Sequence, residues 1–176
     1  VAQRGTSSTS SSYQTVDRFI TGHGGTDESP TQAQHSLTSS DTGPYQEGFR
    51  FSYHITNGNQ TSGAGAADNI YIRQRIEAQN VANSGWNYTS SSSFITLQFW
   101  VKSSVAQNFY GYLRTADGTS QRYAFETGSL SANTWTKITK TIPGNSNLQI
   151  DSNNENGLDV VVIPFWGTDQ TDPGVS

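Results

Sequence analysis

The chain contains no cysteine and no methionine. A disulfide scaffold is therefore excluded, and so is any thiolate metal site. No run of about 18 apolar residues occurs, so no transmembrane helix is predicted. The opening stretch VAQRGTSSTSSS has no apolar core of the kind a signal peptide needs. Charge is also scarce: only 14% of residues are charged, with 10 Lys+Arg and a net charge of -4. With no basic patch to displace counterions, a nucleic-acid partner is not expected.

Hydrophobic residues reach only 32%, which on its own would suggest disorder. Disordered chains, however, combine low hydropathy with high net charge and few aromatics. Here aromatics make up 11% and glycines number 17 within 176 residues. That mixture reads as short strands joined by polar turns, in one domain of ordinary size. Residues 1–12 are rich in Ser and Thr and are expected to form a flexible arm or linker. The β-domain is expected over 13–176. A chain that opens at Val1 reads as processed or excised from a longer one.

Alternation at period two marks the strands. Val16, Arg18 and Ile20 alternate before the GHGGTDESPT loop, and QAQHSLT at 32–38 suits a short strand. In GFRFSYHIT, Phe49, Phe51, Tyr53 and Ile55 share one face. In IYIRQRIEA, Tyr71, Arg73, Arg75 and Glu77 oppose Ile70, Ile72, Gln74 and Ile76. ITLQFWVK places Ile95, Leu97, Phe99 and Val101 on a core face, with Thr96, Gln98, Trp100 and Lys102 opposite. NFYGYLRT follows, then Asp117-Gly118 as a hairpin signal. Its return strand, QRYAFET, points Tyr123 and Phe125 inward. TWTKITKTI is a further strand that ends at Pro143-Gly144. LDVVVIPFW is apolar on both faces, as a central strand would be, and Pro164 should stop or bulge its pairing. No helical period of useful length appears. Roughly eight strands favour an all-β, two-sheet antiparallel β-sandwich of jelly-roll type, with an immunoglobulin-like sandwich as the alternative.

The segments YQTVDRFIT, IRQRIEAQNVANSGW, FITLQFWVKSS, GYLRTADGTSQRYAFE and NTWTKITKTIPG, in that order, resemble the jelly-roll domains of bacteriophage tail-fibre and other virion proteins. Those domains are similar to carbohydrate-binding modules. The resemblance covers residues 13 to about 170, and sequential order carries it more than any single motif. It implies a non-enzymatic structural, decoration or fibre domain at the virion surface, often at a site of host contact. It also implies partners among other virion proteins or copies of itself, as a homo-oligomer. The family usually closes the domain with a Gly-Val-Gln-Leu-Glu-hydrophobic-Gly strand. This chain reads DPGVS instead, so that strand is expected from a longer chain or from a partner.

Sugar rings offer C–H faces that pack on aromatic rings, while amides and guanidinium groups bind hydroxyls. If residues 94–102 and 108–115 are neighbouring strands, Gln98, Trp100, Tyr110, Tyr112 and Arg114 line one glycan-binding surface, which Arg73 could extend. The competing reading is a seam covered by protein. Trp86 and Tyr88, in the loop NSGWNYTSSSS, suit either an exposed adhesive tip or a plug over the sandwich end. Gln74, Arg75 and Glu77 suit a structural network, with Arg75 paired to Glu77. His23 reads as a surface-loop residue rather than a ligand. No catalytic residues, resident cofactor or metal ligands are predicted. Jelly rolls of carbohydrate-binding type often hold a structural Ca²⁺, for which Asp17, Asp41 and Asp159 are the available carboxylates. Glycosidase chemistry needs two carboxylates about 5–10 Å apart, and no pairing is suggested. The remaining functional classes are a glycan-binding adhesin and a carbohydrate-binding module of a secreted bacterial glycanase.

Overall fold

The structure, a computed structural model, describes residues 3–170. The DPGVS end, which stands where the family's closing strand is expected, lies outside the described residues. Among the described residues ten strands form: β1 (Ser7–Ser8), β2 (Phe19–Gly24), β3 (Thr31–Ser36), β4 (Phe51–Thr56), β5 (Asn69–Glu77), β6 (Phe94–Val101), β7 (Asn108–Thr115), β8 (Arg122–Ser129), β9 (Thr136–Pro143) and β10 (Asn156–Trp166). The helical elements among the described residues are α1 (Ala78–Ala82) and a 3₁₀ turn at Thr168–Gln170. The strand orders are β1-β3-β4, β2-β5-β10-β7-β8 and β6-β9. Every recorded register is antiparallel. The all-β antiparallel class read from the alternation is the observed one. The central place of β10 is also as expected, although the strand runs through Pro164 to Trp166 rather than stopping there.

The chain divides into two compact units. One comprises residues up to Arg73 together with the segment from Val162. The other comprises Gln74–Val161. In the first unit, β3 and β4 lie over β2. Tyr53 of β4 meets Phe19, with ring centroids 6.0 Å apart, and its hydroxyl bonds Thr21. The centre of this layer pair is polar. Gln32 is only 1% exposed and accepts hydrogen bonds from Thr15 Oγ1 (3.1 Å) and the Tyr53 hydroxyl (2.9 Å), while its Nε2 donates to Ser10 O (2.7 Å). Burial pushes the Tyr53 hydroxyl well above the usual phenol range. The Ser/Thr arm takes part here: β1 pairs with β3, and Ser12 bridges Thr21. β2 begins one residue after Arg18, whose φ is 68°, and continues through the expected loop residues Gly22 and Gly24. The reason is packing, because the Tyr71 ring occupies the space a Cβ on Gly22 would need.

In the second unit, the β6-β9 sheet packs on β7 and β8. Phe99 and Phe125 meet edge to face across the layers at 6.1 Å. Ile138, Ile142, Leu113, Leu158 and Val161 are buried in this core. Gly111 makes room for it, since a Cβ there would lie 2.4 Å from the Phe125 ring. Tyr123 shares the face of Phe125 but is 39% exposed. It sits on the last strand of its sheet, so the expectation that it points into the core fails. The Asp117-Gly118 hairpin forms as read, with β7 and β8 in register and Gly118 at φ 57°. Each unit therefore layers one sheet on another, which is the β-sandwich layering the strand pattern predicted.

Candidate functional site

The outer face of the β6-β9 sheet is built from two alternating runs. Trp100 stands opposite Lys137, Gln98 opposite Thr139, and Thr96 opposite Thr141. Gln98 Nε2 donates to Thr139 Oγ1 at 3.0 Å. The Lys137 ammonium sits 5.7 Å from the centroid of the Trp100 ring. Just past the strand ends the pattern repeats with the strands exchanged: Lys102 lies over Trp135 at 4.9 Å. The inward residues Ile138 and Ile142 are buried, which fixes this face outward. Gln98, Lys102, Lys137 and Thr139 are exposed, and both tryptophans are half-buried. Two aromatic platforms, each with an ammonium at its ring, thus share one solvent-facing strip.

The expectation that Tyr110, Tyr112 and Arg114 share this strip is overturned. β6 pairs with β9, whereas β7 pairs with β8. The linker 102–107 carries the chain from one layer to the other, so strands adjacent in sequence are not neighbours in a sheet. Leu113 and Gly111 point from β7 into the core, which turns Tyr110, Tyr112 and Arg114 to the opposite outer surface. Tyr110 is 58% exposed there, and Arg122 of β8 lies over Tyr112 at 5.5 Å. Arg114 is committed to structure. Its Nη2 and Nε donate to Asp159 Oδ2 at 2.5 and 3.2 Å. Arg75 approaches Oδ1 at 3.7 Å, and Asn156 Nδ2 donates to the same oxygen at 3.1 Å. Asp159 is fully buried under these partners. Arg75 thus pairs with Asp159 rather than Glu77, whose carboxylate accepts from Gln79.

Arg73 belongs to the first unit, where its guanidinium lies 5.7 Å from the Tyr71 ring centroid. Its Nε is buried without a hydrogen-bond partner among the described residues. Trp86 and Tyr88 form a plug. Trp86 is 9% exposed, its indole N–H donates to Ser93 O (3.3 Å), and its ring meets Tyr88 at 6.3 Å. The Tyr88 hydroxyl donates to Ile150 O at 3.5 Å, and Gly144 and Asn145 bond this loop through Ser93 and Tyr88. Neither ring is placed as an exposed adhesive tip, because the loop closes on its own backbone. The carboxylates considered for calcium each have protein donors: Asp17 from Arg4 and Gln3, Asp41 from Thr38, and Asp159 as above. Among the described residues no group of three or more His, Asp or Glu is placed to hold a metal ion. His23 Nε2 lies 3.2 Å from Thr9 O. Among the described residues no helix is long and apolar enough to cross a membrane.

Three further residues therefore join Gln98 and Trp100: Lys102, Trp135 and Lys137. The signal for them was present in TWTKITKT, whose alternation mirrors that of TLQFWVK. What the sequence lacked was the register that pairs the two segments.

No protein-family model matches the chain, and no curated protein matches it. Among solved structures, the chain is similar to the enzymatically active domain of tailspike protein 4 of bacteriophage CBA120. The TM-score is 0.51 at 13% sequence identity, over 89% of this chain and 18% of that one. The chain thus spans about a fifth of its neighbour's length, and the likeness is one of fold. The expectation of a protein without enzymatic role is overturned by this neighbour, which is itself an enzymatically active domain.

Proposed function

We propose that this chain is a β-sandwich portion of a phage tail-associated protein of tailspike kind. Carried on the virion, with copies of itself or other virion proteins as partners, it holds bacterial surface polysaccharide on the outer face of β6 and β9. The observation that carries the reading is the strip Trp100, Lys137, Lys102 and Trp135. Its tryptophans stand on successive rungs of the ladder, about 7 Å apart along the strands. A sugar chain laid along the strip would stack on both rings and bond Gln98 and Thr139 on the rung beyond Trp100. The fold likeness to a phage tailspike domain supports the setting. The wiring is expected to be of jelly-roll type.

The experiment is affinity electrophoresis of the full chain through gels containing bacterial surface polysaccharides. Retention by at least one polysaccharide is expected. Trp100→Ala should weaken it roughly tenfold, the equivalent of about 1.4 kcal/mol of ring stacking. An unchanged circular dichroism spectrum would confirm that the variant folds. Retention that survives both Trp100→Ala and Trp135→Ala would overturn the site. Reducing ends released in the same samples would extend the reading from holding to cleavage.

A further inference from the structure

We infer that Asn57 is a site of spontaneous covalent modification, deamidation to aspartate and isoaspartate through a cyclic imide formed with Gly58. The chain has three steps at which Asn or Asp precedes glycine: Asn57-Gly58, Asp117-Gly118 and Asn156-Gly157. A following glycine matters because, without a Cβ, its nitrogen can swing onto the side-chain carbonyl carbon. In the reaction the Gly58 nitrogen gives its proton to solvent and bonds Asn57 Cγ. The Cγ–Nδ2 bond breaks, and the leaving nitrogen takes a proton from water to depart as ammonia. Water then adds to one of the two imide carbonyls. Opening at Cγ gives aspartate; opening at the backbone carbonyl gives isoaspartate, whose main chain runs through the side-chain carbon. In sum, one water is consumed and one ammonia is released.

The structure separates the three steps. Asn156 opens β10, where its Nδ2 donates to Asp159 Oδ1 at 3.1 Å. Gly157 is buried, accepts the Ala116 N–H, and is pressed on Ala78, where an added Cβ would lie 2.4 Å from Cα. Asp117 is 8% exposed, and its Oδ2 accepts the Asp151 N–H at 2.8 Å. Neither residue can close an imide ring without local opening. Asn57 follows Thr56, the last residue of β4, in a loop outside the strands. It is exposed, and its amide makes no hydrogen bond among the described residues.

The same step lies beside a clamp. The Asn59 N–H donates to Glu28 Oε2 at 2.7 Å, and Gln60 Nε2 donates to Glu28 O at 3.1 Å. A Cβ on Gly58 would itself lie 2.7 Å from Glu28 O, so the loop runs close against this segment. Modification adds a negative charge one residue before that contact. As isoaspartate it also adds a methylene to the main chain, which slackens the clamp.

The test ages the folded full chain in mildly alkaline buffer, with a parallel sample in urea. Peptide mapping by mass spectrometry follows each step, and isoaspartyl methyltransferase labelling reports isoaspartate. In the folded protein Asn57 should convert at least about tenfold faster than Asn156, and Asp117 should yield no isoaspartate. In urea the two asparagines should convert at similar rates, since only the fold protects Asn156. Asn57→Gln should remove the reaction at this step, because its imide would need a six-membered ring. In the modified protein the Asn59 amide hydrogen should exchange about fivefold faster. Conversion of Asn156 as fast as Asn57 in the folded protein, or an Asn57 that stays intact there, would overturn the site. Unchanged exchange at Asn59 in modified protein would overturn the slackened clamp while keeping the site.

Discussion

The two outer surfaces of the second unit carry similar residue types to different ends. On the β6-β9 surface, lysines lie at tryptophan rings with no carboxylate among the outward positions. On the surface of β7 and β8 with the adjoining strands, arginines converge on a carboxylate that is fully buried. A buried carboxylate must be compensated, and once Arg114 and Arg75 do so they serve the fold first. Aromatic residues with cations on a sheet surface therefore do not by themselves mark a binding site. What marks the second surface is that a buried anion, Asp159, holds its arginines.

Substituting Asp159 is the most severe way to break this contrast. Asp159→Asn leaves Arg114 and Arg75 without their counter-charge. It should cost about 2–3 kcal/mol in urea unfolding, below the usual 3–5 for a buried pair because both arginines are partly solvated. Polysaccharide retention by the folded fraction should be unaltered. If binding disappears while the protein stays folded, the arginine surface is functional after all. Next in size, Trp100→Ala should cost less than about 1.5 kcal/mol of stability, because the ring is half-exposed, while lowering retention roughly tenfold. Tyr112→Ala on the other surface should leave retention within about twofold, since β7 turns this ring away from the β6-β9 face.

The smallest effect lies in the first unit and gives a reference for both surfaces. The Asp27 carboxylate accepts from Ser62 N–H (2.6 Å), Ser62 Oγ and Thr61 Oγ1, tying the 25–29 loop to the 57–68 loop. These bonds, the Ser62 backbone bond first, hold its pKa below the ordinary carboxylate value. A lowered folded pKa means stability that is present above the unfolded value and is lost as pH falls through the folded one. Asp27→Asn should thus lower stability slightly at pH 7 to 8, where the carboxylate's bonds are in place, and flatten the loss of stability below about pH 4. An identical acid limb in the variant would show that this clamp contributes nothing.

Much of the fold was legible because strand alternation is local. The inward Ile-Leu-Phe-Val row of β6, the Asp117-Gly118 hairpin and the apolar β10 could each be read from a few residues. Pairing was not legible. β6 meets β9 some 41 residues away at Gln98 and Thr139, and no local signal specifies that choice over β7. Asp159 was hidden in an apolar run, since its partners come from strands on either side of β10. Trp86 was ambiguous because a serine-rich loop can fold over its own aromatic ring, as it does through Ser93. Gln32 gave no sign of burial; its place depends on Thr15, Tyr53 and Ser10, three segments apart in the chain.

The central claim is that the tryptophan–lysine surface, and not the tyrosine–arginine surface, meets the polysaccharide. It is tested most directly by measuring, under one set of conditions, the retention of wild type, Trp100→Ala and Tyr112→Ala in gels containing a polysaccharide that the wild type binds. The account predicts a loss of roughly tenfold for Trp100→Ala and near-wild-type retention for Tyr112→Ala. The reverse pattern, with Tyr112→Ala impaired and Trp100→Ala unaffected, would contradict it.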